Sequence, residues 1–253
     1  MSRSLPRLLA VGILAATALV FTAQRVKPVY LEHSIGERLN LLAATPQEKL
    51  MRDNPWSRLS FSDALATPAF LRDRHAFALD LVATGKVAFP RAIRLADIAV
   101  REAYRRQVPP ALVLGVLLTE NTGLKSWARS REGALGLMQI HPGPWRPALG
   151  ALFGRNLRND TTNLRYGVYI LGHLARRAGD TPDGKEQWRT ALLRYNGCVR
   201  GTNTRDCFRY PDVVRRKVLS KARTTCAGRS FESCVVGPLR IISRAAPSSS
   251  KTS

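Results

Sequence analysis

Apolar residues recur at helical spacing over much of the second third of this chain. From Pro90 to about Gln107 the pattern is carried by Ile93, Ala96, Ile98, Ala99, Ala103 and Tyr104, which predicts a helix. Pro109-Pro110 then opens a run from Ala111 to Leu118 that is apolar on every side and ends in Thr119-Glu120. Its length and its leucine and alanine content favour a buried central helix over a buried strand. Proline in the first turn starts it, and the segment from Asn121 to Gly123 stops it. A further helix is marked by Leu164, Val168, Leu171, Ala175 and Ala178, at spacings of four, three, four and three. Asp160 or Thr161 is placed to cap it, and Arg176, Arg177 and Gly179 close it with the charge and the terminator that a helix C-terminus favours. Shorter helices are predicted from Glu186 to Tyr195 and from Pro211 to Lys221. Nothing reads as a succession of strands, so the expected fold class is all-α.

The remaining chain divides by pattern into flanking segments. Arg3 and Arg7 precede an uncharged stretch from Leu8 to Gln24, the form of a secretory signal and also close to the shortest apolar length that spans a bilayer. Residues 1–24 are therefore expected to export the chain, as a cleaved signal or as an inner-membrane anchor. Residues 25–88 read as a helical or irregular preface, residues 89–224 as the main domain, and residues 225–253 as a tail with a disordered, serine-rich end. The expected location is periplasmic, secreted or anchored at the inner membrane.

Composition sharpens this picture in two places. Forty basic against 18 acidic residues give a formal charge of +22, a field that attracts any polyanion without choosing among them. An export segment argues against nucleic acid as the partner. The four cysteines, Cys198, Cys207, Cys226 and Cys234, all fall late. Their number suits disulfides in an exported chain, whereas their spacing does not suit a zinc site. Three pairings are possible, and the local one, Cys198–Cys207 with Cys226–Cys234, is preferred because both loops are short.

Three segments carry candidate chemistry: "PPALVLGVLLTEN" with Glu120 at its end, "SREGALGLMQIHP", and "ALLRYNG" with Tyr210-Pro211 beyond it. A carboxylate that ends an apolar helix is carried into a low-dielectric setting. Burial there raises its pKa until it can deliver a proton near neutrality. Cleavage of a glycosidic bond needs such a proton on the leaving oxygen. A glycosidase normally pairs two carboxylates. Within these segments the only other acid is Glu132, in a glycine-flanked loop.

Together, and in this order, the three segments resemble the SLT-type soluble lytic transglycosylases, a lysozyme-like family, over roughly Pro90 to Lys221. The resemblance implies a lysozyme-like helical domain. It also implies non-hydrolytic cleavage of peptidoglycan glycan strands, in which Glu120 acts first as acid and then as base and leaves a 1,6-anhydro-muramyl end. By the same resemblance, Ser130 and Gln139 orient Glu120 or the substrate N-acetyl group, and Tyr195 and Asn196 wall the cleft. Tyr210 stands where the family often carries a Tyr close to its Glu, and it completes the expected substrate site. No metal or organic cofactor is implied. The sequence departs from the family in three places. Asn121 follows the Glu where Ser is usual, one extra residue separates Glu120 from Ser130, and His141 occupies a commonly apolar position, read here as an ordinary surface histidine. Met138 is read as core. The alternatives are a hydrolytic muramidase of the goose-type lysozyme kind and a non-catalytic basic wall-binding module. A Cys198–Cys207 bond would pin the cleft wall between Asn196 and Tyr210 and stabilise it by about 2–3 kcal/mol. Alkylation of the exported protein, followed by mass spectrometry, should find no free thiol before reduction and four after it.

Overall fold

The apolar run that ends in Glu120 forms a helix buried along nearly its whole length, and the other elements pack around it. The computed structural model describes residues 54–57, 59–178, 187–198 and 206–238. Their helices are α1 (Phe61–Leu65), α2 (Pro68–Val82), α3 (Phe89–Arg106), α4 (Pro110–Glu120), α5 (Pro142–Phe153), α6 (Asp160–Ala178), α7 (Gln187–Tyr195) and α8 (Tyr210–Lys221). A short π-helical turn follows at Glu232–Val236. Among the described residues there are no strands, only two isolated antiparallel bridges, Arg129 with Leu135 and Leu135 with Ile140. The fold is all-α. No helix among these residues is long and apolar enough to cross a membrane. The chain divides into two compact units, Met1–Leu50 and Met51–Ser253, and every described residue belongs to the second. The expected export segment, the first part of the preface, Gly179, Glu186, most of the insert after Cys198 and the serine-rich end lie outside the described residues.

Local signals account for most helix boundaries. Thr67 caps α2 by accepting the Phe70 amide at 3.3 Å, with Pro68 in the first turn. Gln107 ends α3 in the left-handed conformation, and the Val108 amide returns to the Ala103 carbonyl at 2.9 Å. The cap of α6 differs from expectation. Asn159, and neither Asp160 nor Thr161, accepts the Thr162 amide, at 3.0 Å. Asp160 instead sits in the first turn and pairs with Arg91 at 3.2 Å.

Helix α5 was not predicted; its Pro142, Gly143, Pro144 and Pro147 are residues that ordinarily punctuate a helix. Two of those prolines stand in the first turn, where a missing N–H costs nothing. The helix is also largely exposed, with only Leu149 buried, so it carries little apolar periodicity.

One core unites the described chain from Trp56 to Val236. Helices α2 and α3 pack together, α3 and α7 flank α6, and α8 packs on α4. The α4–α8 contact is close. A Cβ added at Gly115 would lie 2.5 Å from Val218 Cγ2, so glycine lets the two helices approach. The domain boundaries expected at residues 88/89 and 224/225 do not divide this core. Phe70, Phe77 and Leu81 of the preface and Phe231, Val235 and Val236 of the tail are all buried in it. Asp80, itself buried, accepts the amides of Thr224 at 3.0 Å and Thr225 at 2.8 Å, and also the Thr225 hydroxyl at 2.8 Å. Trp188 meets Phe231 edge-on at 4.8 Å between ring centroids. These contacts went unread because each joins residues far apart in sequence and leaves no periodic trace. Both local disulfides, Cys198–Cys207 and Cys226–Cys234, are formed.

The loop from Asn121 to Ile140 is fixed by side chains rather than by helix packing. Asn163, fully buried in α6, donates to the carbonyls of Leu135 and Leu157, both at 2.8 Å, and accepts the Met138 amide at 2.7 Å. Gly136 lies against it at φ +76°, and an added Cβ would fall 2.3 Å from Asn163 Nδ2 and 2.5 Å from the Leu157 carbonyl. Gly133 also has a positive φ, +87°, but has open space around it. Two substitutions therefore separate backbone strain from steric exclusion. Gly133→Ala should cost about 1–2 kcal/mol, the left-handed penalty alone, whereas Gly136→Ala should cost at least about 3 kcal/mol because a buried polar network is displaced as well. Urea denaturation of the two variants checks the difference.

Candidate active site

Glu120 is the last residue of α4, and its carboxyl lines a cleft of about 490 Å³. The loop side of that cleft presents Ser130, Glu132, Ala134 and Gln139; α5 presents Pro144 and Trp145; the end of α7 presents Arg194, Tyr195 and Asn196. Burial raises the Glu120 pKa from its ordinary value to about 7, and a hydrogen bond from Tyr210 partly offsets the rise. The Tyr210 hydroxyl donates to Glu120 Oε1. Burial and the neighbouring carboxylate push the Tyr210 pKa well above the usual tyrosine range, so its proton stays on the phenol as a permanent donor.

Sequence reasoning expected five residues around Glu120. Four of them, Ser130, Gln139, Tyr195 and Asn196, line the cleft. Tyr210 does not; it holds Glu120 from α8, outside the set of residues that line the cleft. Neither Ser130 nor Gln139 hydrogen-bonds Glu120 among the described residues. Ser130 Oγ accepts the Ala134 amide at 3.1 Å, and Gln139 Nε2 donates to the Gly136 carbonyl at 2.7 Å, so both brace the loop. Tyr195 donates to the Met138 carbonyl at 3.0 Å, which ties α7 across the cleft to the loop. Met138 itself is fully buried.

The departures from the family pattern have a geometric reading. Asn121 is buried and donates to the carbonyls of Lys125 at 2.8 Å and Gly136 at 3.2 Å while accepting the Lys125 amide at 3.1 Å. An Asn at this point closes the slightly longer loop on itself and fastens it to Gly136. His141 is exposed, as expected of a surface residue, and it also lines the cleft beside Pro144. Trp145, Arg194 and Glu132 were also missed as cleft residues. Trp145 lay in the unpredicted helix, and Arg194 gave no signal beyond one more positive charge. Glu132 stands apart from Glu120 in character. Fully exposed, it has a lowered pKa, first through its own backbone amide and then through the Ser130 hydroxyl, and is therefore ionised where Glu120 is half protonated.

Residues 97–206 match the family model described as Transglycosylase SLT domain. These residues form an SLT transglycosylase domain. The domain's activity is lytic transglycosylation of peptidoglycan in general terms, and the match takes in Glu120 and every described residue that lines its cleft. No curated protein and no solved structure matches the chain significantly. Within the SLT domain the carboxyl of Glu120 should titrate near pH 7 when followed by carbon NMR. Tyr210→Phe should move that titration to higher pH, because the lost hydrogen bond favoured the ionised form.

Proposed function

We propose that this SLT domain cleaves the bond between N-acetylmuramic acid and N-acetylglucosamine without water, with Glu120 as its single acid/base. The observation that carries the proposal is the state of Glu120, a half-buried carboxyl with a pKa raised to about 7 that opens on a cleft large enough for sugar. In the first step the Glu120 proton passes to the leaving glycosidic oxygen as the C1–O bond breaks, with the substrate N-acetyl group supporting the electron-poor C1. In the second, the substrate's own 6-hydroxyl attacks C1 and gives its proton to the Glu120 carboxylate, which restores the acid. The product is a 1,6-anhydro-muramyl end. Attack from within the same sugar gains from effective concentration and requires no positioned water.

The donor from Tyr210 stabilises the carboxylate that exists between the two steps. Ser130 and Gln139 support the substrate through the loop they brace, and Tyr195 and Asn196 form the opposing wall. An exported enzyme fits this substrate, which lies outside the cytoplasm, and fits the two disulfides as well.

A hydrolytic reading is favoured by one specific observation: Glu132, an ionised carboxylate, lines the same cleft as the protonatable Glu120. Two carboxyls held in unlike states are the signature of a muramidase. Digestion of purified peptidoglycan with product analysis by mass spectrometry separates the two. Anhydro-muramyl ends are expected from the wild type and from Glu132→Gln, with Glu120→Gln at least about 1,000-fold slower. Reducing ends lost in Glu132→Gln would make the enzyme a hydrolase. The kcat/KM of the wild type should fall as pH rises through about 7, as the acid form of Glu120 is lost.

A further inference from the structure

The loop that floors the cleft has a second cavity on its other side. About 320 Å³ in volume, it is lined by Arg129, Arg146, Arg155 and Arg158 and by no acidic side chain. Residues along the loop alternate between the two spaces. Ser130, Glu132 and Ala134 face the cleft, while Arg129, Gly133 and Leu135 face the second cavity. The first turn of α5 repeats this, with Trp145 on the cleft side and Arg146 on the other. The partition between the cavities is therefore one chain thick.

The four arginines come from three separate pieces of chain: the loop, α5, and the connection from α5 to α6. Among the described residues none of the four has an ion pair, whereas Arg91 and Arg189 find Asp160 and Asp212. Asp160, the acid nearest to Arg158 in sequence, gives one oxygen to Arg91, and its other oxygen is buried without a partner. Arg146 Nε is buried without a hydrogen-bond partner. The hydroxyl of Tyr166, close to Arg146 and Arg155, donates to the Gly154 carbonyl at 2.9 Å and supplies no negative charge. Exposed arginines taken singly are satisfied by water. Like charges gathered around one cavity, one of them partly desolvated, are complemented by an anion. The guanidinium fork matches the two oxygens of a carboxylate.

The geometry points to this cavity as a binding site for a free carboxylate of the stem peptide carried by the same polymer whose glycan lies in the cleft. The assignment rests on the peptidoglycan reading of that cleft. A peptide of three or four residues, at up to about 3.5 Å each, reaches past a partition one chain thick. The site would make the enzyme prefer peptide-bearing strands.

The test uses the full chain as Glu120→Gln, with binding followed by calorimetry. The probes are a disaccharide tetrapeptide and the same compound with its carboxyls converted to amides. The carboxylate form should bind about tenfold more tightly, as for a charge-assisted contact, and lose that advantage in high salt. Arg146→Gln with Arg158→Gln should bring the two affinities together. Arg129→Gln with Arg158→Gln, both at exposed positions, should do so without touching a partly buried side chain. Equal affinity for both probes, or a preference that survives both double variants, overturns the assignment, as does capture of inorganic phosphate without discrimination between the probes. Peptide-free glycan strands keep the two ideas apart. Their cleavage by the wild type alongside equal probe affinities would overturn the peptide site alone, whereas failure to cleave any glycan would overturn the reading on which it rests.

Discussion

Ionising a carboxyl at the end of a buried helix costs free energy, and the SLT domain is organised around that cost. Helix α4 is apolar on all faces, so its neighbours enclose it on every side and its last residue inherits their low dielectric. Were Glu120 fully solvated it would be an ordinary carboxylate, ionised at neutral pH and useless as a proton donor. Were it sealed it would never reach a sugar. The cleft leaves it on the boundary, and the Tyr210 hydroxyl, itself unable to ionise there, trims the effect of burial. The close approach of α8 to α4 at Gly115 brings Tyr210 to its place, so a small residue in the core bears on the acid at the helix end.

The loop opposite Glu120 solves a different problem. It has no apolar periodicity and cannot hold its shape by packing alone. Three amides do the work instead. Asn163 gathers the carbonyls of Leu135 and Leu157 and the amide of Met138, Asn121 closes the near end, and Gln139 shares the Gly136 carbonyl with Asn121. The two buried amides, Asn163 and Asn121, have partners at both side-chain polar atoms and so fix one backbone path, since any other would strand a donor or an acceptor. That fixed path allows successive side chains to serve the cleft and the arginine cavity in turn.

Much of the architecture was legible in the sequence, and what was legible shares a cause. Helices α3, α4, α6, α7 and α8 bury one stripe or all of their surface, and burial leaves a spacing that can be read directly. The glutamate was legible because its apolar context is abnormal for a carboxylate. Helix α5 was not, because it lies at the surface and begins with prolines whose harmlessness depends on their place in the turn. Asp80, Asn163 and Trp145 were equally silent. Each acts on partners set by the tertiary fold, and a single buried Asp or Asn in a sequence looks like any surface residue. His141 and Glu132 became cleft residues only once the loop had a path, for the same reason.

The three hydrogen bonds from Thr224 and Thr225 to Asp80 span about 145 positions of the chain. They can form only after nearly the whole unit has been synthesised. Until then α2 carries a carboxylate with none of its three donors, on a face that the segment carrying Phe231 has yet to cover. A partly made chain therefore has no complete core on which to settle, and long-range closure of this kind is slow relative to helix formation. The core of this unit is therefore closed only when the segment from Thr224 to Val236 meets α2, so its two ends stabilise each other and neither is complete alone.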